Sequence, residues 1–535
     1  MSLCGPAVVV GYAFHQANAE PVIDLAPEAV EQIVRSEGAW AIRNLWGNYI
    51  LAWTNPDGQV FVLRSPLTGP ALFHTSRFDL DGVADSSGAH CAFTDLALAR
   101  ALGFPADQPD ASAIDAYLRY PLLRTSCGGI EGVTEILPGE ISRLDRHGRR
   151  AGSWLPWDYA TSPPRRAEAR ELGDVVRNCV GAWSGRFARV QLELSGGIDS
   201  SIVAACLAGR SAPWRAVTMV TAEPDGDERI YARAVAERAG LQLEELMLPA
   251  EPGDPVAPAT ALRVRPGGFG LIGPTDAAFL ASAQAFGAEA IFSGTAGDGA
   301  FGYQTSIAPA LDAFRFEGIG AALKAARDQA RITDDHIWNA LRHGLRGYFR
   351  GIRLWPVDDL LLSARYADER PWHPWMVDAD RVPPGQRRYG LGLLSIQPFL
   401  DGYDRAQLLP KIAPLLSQPL IEFGLGVPSW QWGEGGVNRA LAREAFRTDL
   451  PPIVLTRRSK GRLLSMFLPA FERNRKRLSA YLLDGWLAGA GLLDLDAIDA
   501  LLSGRSAADT RAMLRILQFA DIESWSRSIT GAASS

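Results

Sequence analysis

The chain has 535 residues, 54 basic and 60 acidic side chains, a formal charge of −6 and five cysteines. That length exceeds the ~250–300 residues at which a single hydrophobic core stops growing, so two or more domains are expected. A near-neutral charge gives no general footprint for nucleic acid, and Cys4, Cys91, Cys127, Cys179 and Cys206, scattered without a C-x-x-C pair, argue against a disulfide framework or a zinc site and suit a reducing cytoplasm.

The opening residues show no basic segment followed by a long apolar stretch, and no run of about 18 apolar residues occurs, so neither a signal peptide nor a membrane span is expected. Residues 1–155 carry short β-like runs, such as NYILAWT (Asn48 to Thr54) and QVFVLRS (Gln59 to Ser65), joined by NPDG (Asn55 to Gly58) as a hairpin would be. A Pro-, Trp- and Arg-rich stretch from Trp154 to Arg170 comes next, and the domain boundary is placed there: a β-rich α+β domain over 1–160 and an α/β domain over 161–535. Beyond the boundary, strand-like runs (RAVTMVT, EAIFSGT) alternate with helix-like ones (DERIYARAVAERAG, DAAFLASAQAFG). That alternation predicts βαβ units and a parallel sheet, with a helical part toward the C-terminus.

The most informative stretch is VQLELSGGIDSSIVAACLAG (Val190 to Gly209). Val190, Leu192 and Leu194 alternate with Gln191 and Glu193 as in a strand, and Ile202 to Leu207 is helix-compatible, so a strand meets a helix at a glycine turn. Backbone N–H groups of such a turn point into one concavity and the helix N-terminus adds about half a positive charge, which suits phosphate or pyrophosphate. Asp199 beside phosphates requires a cation between them, and magnesium bridges carboxylate and phosphate oxygens. No lysine succeeds the turn, so it is not the G-x-x-x-x-G-K-[ST] phosphate loop.

The string S-G-G-x-D-S-S resembles the pyrophosphate loop of ATP pyrophosphatases, and the order of the motifs downstream of it resembles the asparagine synthetase family. The resemblance implies a glutaminase-like N-terminal domain and an ATP-binding ligase domain that transfers AMP to a carboxylate, releases pyrophosphate and lets an amine displace the AMP. It implies ATP contacts from Leu194, Ser195, Gly196, Gly197, Asp199, Ser200 and Ser201. Further contacts are implied from Met219 and Thr221 of the next strand and from Ser293 and Gly294 of SGTAGDGAFGY (Ser293 to Tyr303). Magnesium falls to Asp199 and Asp298. The family's glutamate after that second aspartate is Gly299 here, so its role is absent or moved.

QPFLD (Gln397 to Asp401) resembles the family's P-F-L-D motif. The succession PLLSQPLIEFGLGVPSW, GGVNRALAREAF and LPPIVLTRRSKGRL then looks most like lasso peptide cyclases, relatives that close a macrolactam between a peptide's N-terminal amine and an Asp or Glu side chain. This implies a precursor core peptide as substrate, a leader peptidase and a leader-binding protein as partners, and Lys460 as the catalytic lysine over the adenylate. Cys4 is not the second residue and no N-G-x-I-Y-N-like glutamine string occurs, which predicts a glutaminase shell without glutaminase chemistry. Three alternatives stand beside this reading: an asparagine-type synthetase using ammonia, a β-lactam-type synthetase, and a non-catalytic scaffold.

Other signals are discounted. GFGLIG (Gly268 to Gly273) matches G-x-G-x-x-G, but Pro274 comes directly after it and no strand precedes it, so a substrate-facing loop is expected. The seven histidines show no zinc-binding spacing. Trp372, Trp375, Trp430 and Trp432 are expected to fill a core rather than line a peptide cavity.

Overall fold

The computed structural model describes residues 2–4, 6–78, 89–103, 106–145, 150–160, 163–210, 213–220, 227–249, 251–259, 262–267, 270–334, 355–366, 372–457, 467–507 and 509–531. Leu45–Thr54 (β3) and Val60–Arg64 (β4) pair antiparallel around Asn55 to Gly58, the hairpin the sequence predicts. With Ser2–Cys4 (β1), Ala7–His15 (β2), Glu140–Arg143 (β8) and Arg150–Ser153 (β9) they form a six-stranded sheet ordered β1-β2-β3-β4-β8-β9. A second antiparallel sheet is ordered β6-β5-β7, from Leu72–Phe78 (β5), Ala89–Phe93 (β6) and Val133–Ile136 (β7).

After the helix Ala169–Ser184 the pairing changes. Val190–Glu193 (β10), Trp214–Val220 (β11), Gln242–Met247 (β12), Ala290–Ser293 (β13) and Lys411–Ile412 (β14) make a five-stranded parallel sheet ordered β12-β11-β10-β13-β14. The intervening helices include Ile198–Leu207, Arg229–Ala239 and Gly273–Phe286. The chain is therefore mixed α/β, with antiparallel sheets, then a parallel sheet, then a helical C-terminal part ending in Phe467–Leu483, Leu495–Leu502 and Thr510–Gly531.

The parallel sheet corrects one local expectation. Gln191 belongs to the polar set of an alternating strand, yet it is completely buried. Helices cover both faces of a parallel sheet, so a polar side chain there needs partners rather than water. Gln191 accepts from Arg215 at 2.7 Å and from the Ser282 hydroxyl at 3.2 Å.

Two large cores tie these regions together. One runs from the six-stranded sheet (Phe14, Trp46, Leu51) through the helix Ala169–Ser184 to Leu192, Phe292 and Leu420. The other joins Phe73, Leu96 and Ile114 to Leu478, Ile516 and Trp525 of the C-terminal helices. Trp375 and Trp432 are almost fully buried, as core fillers are, whereas Trp372 is about half exposed. Among the described residues no helix is long and apolar enough to cross a membrane.

Candidate active site

The site forms where β10 and β13 end side by side, with Glu193 opposite Ser293 in register. The C-terminal ends of parallel strands are where α/β sheets open a crevice for ligands. Leu194 extends β10 by donating to the Val217 carbonyl at 2.8 Å, and the chain then turns at Ser195, Gly196 and Gly197 into the helix Ile198–Leu207. Gly196 adopts φ +65°, and a Cβ there would lie 2.3 Å from the Cβ of Tyr231, so only glycine fits. The loop is braced internally: Ser200 Oγ lies 3.3 Å from both the Ser195 amide nitrogen and hydroxyl, and the Ser201 hydroxyl donates to the Gly197 carbonyl at 2.8 Å. The first amides of a helix have no intrahelical acceptor and lie at its positive end, so this turn offers donors to an anion.

The second loop is pressed onto the first. A Cβ on Gly294 would meet the Ser200 amide at 2.4 Å, and one on Gly297 would meet Asp199 Cγ at 2.3 Å. Asp298 is next in the chain, with its side chain 43% exposed, while that of Asp199 is 14% exposed. Ser293 donates to Thr295 Oγ1 at 2.8 Å, which fixes the loop's entry. Ala296 occupies the position of a glycine in the resembling string and adopts φ +77°, a conformation that costs a side-chain-bearing residue about 1–2 kcal/mol. Gly299 also has a physical reason: the direction of a side chain there is filled by Ile396 Cδ1, 2.7 Å from an added Cβ, and by Leu393. A side chain there would need these two flexible apolar ends to shift.

Asp199 and Asp298 meet at one guanidinium. Arg439, at the start of the helix Ala440–Ala445, pairs with Asp199 at 3.3 Å and with Asp298 in closer contact, and lies over the Tyr303 ring at 5.2 Å. Burial pulls its pKa below the ordinary arginine value, and Asp199 opposes that shift. A second guanidinium, Arg457, donates to the Ser195 carbonyl at 3.3 Å, pairs with Glu228 and stacks 4.0 Å from the Tyr231 ring. Tyr231 thus touches both the loop glycine and the arginine. Sequence reasoning missed Arg439, Arg457 and Tyr231, because their partners stand far away in the chain.

Of the predicted site residues, Leu194, Ser195, Gly196, Gly197, Asp199, Ser200, Ser201, Ser293, Gly294 and Asp298 are brought together here. Met219 lies on β11 beyond the level where β10 ends, since Val217 is the residue opposite Glu193. Thr221 and Lys460 lie outside the described residues, as do Gly268 and Phe269 of GFGLIG. QPFLD is not at this site: Pro398–Asp401 is a short helix whose Asp401 pairs with Arg124 of the N-terminal region at 2.5 Å.

A model of the asparagine synthase family matches residues 171–527, about two thirds of the chain, including both glycine loops and both arginines. The chain belongs to the asparagine synthase family. No curated protein matches it. Family membership makes this an ATP-dependent amide-forming ligase. Two carboxylates fit magnesium, which uses one or two protein carboxylates together with substrate phosphates; among the described residues no group of three His, Cys, Asp or Glu side chains is arranged to hold a metal without them.

Proposed function

We propose that this asparagine synthase family member is a lasso peptide cyclase, forming a macrolactam between the N-terminal amine of a core peptide and one of its Asp or Glu side chains. A carboxylate oxygen attacks the α-phosphorus of ATP, the α–β bond breaks, and pyrophosphate leaves with the electron pair. The amine then adds to the acyl adenylate carbonyl, loses a proton and expels AMP.

The observation that carries this reading is the meeting of Arg439 and Arg457 with the two glycine loops. They come from GGVNRALAREAF and LPPIVLTRRSKGRL, the segments on which the cyclase resemblance rests, and both touch the glycine loops. Arg439 is placed to offset charge on departing pyrophosphate, together with magnesium held by Asp199 and Asp298. Bound magnesium would supply charge neutralisation and orientation of the phosphates. Arg457 stands three residues before Lys460, the residue proposed to stabilise the added negative charge of the second, tetrahedral step. The substrate is proposed to arrive from a longer precursor, trimmed by a leader peptidase acting with a leader-binding protein.

The test uses a linear peptide with a free N-terminal amine and an Asp or Glu several residues along, with ATP and magnesium. A product lighter by one water is expected from the free peptide and not from peptide acetylated at its amine or amidated at its acidic side chain. Asparagine made from aspartate and ammonia, with no peptide product, would establish the small-molecule alternative instead.

A further inference from the structure

A large cavity lies apart from the two glycine loops. It measures about 830 Å³, and no residue of either glycine loop lines it. It lies between the N-terminal sheets and the ligase half, with apolar walls from Phe73, Leu123, Val264, Leu271 and Leu517. The loop around Gly270 that sequence analysis marked as substrate-facing also borders it. A water-sized molecule takes roughly 30 Å³, so a passage for ammonia would need only a small part of this space. The volume falls in the roughly 300–1,000 Å³ range of sites that enclose a drug-sized ligand.

The charges on its wall are not equivalent. Arg64 pairs with Glu135 at 2.5 Å, Arg124 with Asp401 at 2.5 Å, Arg265 with Glu135 and Arg263 with Asp404. Lys411 differs. Among the described residues no carboxylate oxygen comes within 4.0 Å of its Nζ. Its ammonium makes one long bond, to the Phe399 carbonyl at 3.4 Å, and sits 3.7 Å from the Tyr403 ring centroid. An ammonium has three donors, and Lys411, half-buried on β14, leaves donors available to an anion. Lys411 lies on β14, the edge strand beside β13, which leads into the second glycine loop.

We propose that this cavity binds a carboxylate carried on an apolar body the size of a short peptide, with the Lys411 ammonium as its anion partner and the apolar walls enclosing the rest. The groups facing Lys411 are compatible with an added anion. Glu193 on β10 is paired with Arg405 at 2.6 Å, Arg405 is also paired with Asp276, and burial lifts the Tyr403 hydroxyl to about 12, so it stays neutral. Burial draws Lys411 itself down to about 8, with Arg405 acting the same way and Glu193 opposing. Its charge, and with it the affinity, is present below that value and is lost as pH rises through it; a bound carboxylate moves the loss upward.

The experiment is calorimetric titration of the full chain, without ATP, using N-acetyl-pentaleucine as free acid, the same peptide as C-terminal amide, and decanoate. Because no turnover is involved, its outcome is independent of whether the chain closes a ring. One molecule of a free acid should bind per chain. Amidation should weaken binding at least tenfold, Lys411→Met should do the same for the acid but not the amide, and affinity for the acid should fall between pH 7 and pH 10. Binding by the peptide identifies a chain terminus as the source, and binding by decanoate alone identifies a small acid. Equal binding of acid and amide to the wild type, indifference of the acid to Lys411→Met, or no binding of either acid would overturn the proposal. The comparison of acid with amide uses only unaltered protein, so a poorly folding variant does not remove the test.

Discussion

The antiparallel region and the parallel sheet put buried charge to different uses. In the antiparallel region Arg64 and Glu135 are both fully buried and meet each other, with Arg124 and Arg265 drawn onto the same carboxylate. Buried pairs of this kind are weak evidence for net stability, but losing one partner is expensive. Here they lock the N-terminal sheets against the segments carrying Arg265 and Asp401. At the end of the parallel sheet Arg439 is just as buried, yet one of its two carboxylates, Asp298, stands 43% exposed. Charge there faces outward to where a ligand can reach it. The difference lies in the carboxylate: Glu135 is closed to solvent on every side, whereas Asp298 can be reached; exposure of one partner alone does not mark chemistry, since Asp401 beside the buried Arg124 is 36% exposed as well.

That comparison can be broken first at the site. Asp199→Ala and Asp298→Ala should each abolish product, and Arg439→Ala should lower turnover by at least 10²-fold, as removal of a charge-stabilising donor does. Thermal unfolding should stay close to wild type for Asp298→Ala, at the exposed edge of the network, and should fall for Arg439→Ala, which takes the guanidinium away from the mostly buried Asp199. Normal turnover by any of the three would take that residue out of the site. Lys460→Ala comes next, with a loss of roughly 10²–10³ in cyclisation rate and little change in nucleotide affinity. Lys460→Arg should restore only part, because a planar guanidinium does not replace a compact ammonium. Equal rates for wild type and the alanine variant would make Lys460 surface charge.

The structural side of the contrast is tested at the join between the regions. Glu422 accepts from Gln16 at 3.0 Å, Trp154 at 2.9 Å and Gln418 at 2.8 Å. Glu422→Ala strands these donors and should destabilise the chain by about 3 kcal/mol, measured by urea unfolding, with the nucleotide affinity of the folded fraction unchanged. The smallest expected effects are two. Ala296→Gly should raise stability by about 1 kcal/mol by relieving the left-handed conformation, which a rise in the unfolding midpoint would register. Cys4→Ala should change nothing in turnover, and no glutamate should be released from glutamine; glutamate release stopped by that substitution would revive amidotransfer.

Much of the fold was legible because local signals agreed with tertiary ones. The hairpin about Asn55 to Gly58, the strand-to-helix turn at Gly196 and the βαβ alternation all arise from periodicity and glycine placement. Both aspartates were legible too, since each sits inside a specific string. Arg439 and Arg457 were not, because contacts across 240 and 262 residues leave no local trace. Nor was the packing of Ile396, from a distant helix, beside Gly299. Gln191 misled for a related reason: alternation reports a half-solvated strand, and this one is covered on both faces.

On the proposed function, Asp199, Asp298 and Arg439 surround a departing pyrophosphate while a carboxylate takes up AMP. That transfer is tested most directly by labelling the acidic side chain of the linear core peptide with heavy oxygen and following the label through one turnover. Attack of the carboxylate on the α-phosphorus, then aminolysis at the carbonyl, leaves one labelled oxygen in AMP, with unlabelled pyrophosphate formed in equal amount. Label recovered in inorganic phosphate, with ADP as the nucleotide product, would contradict the account.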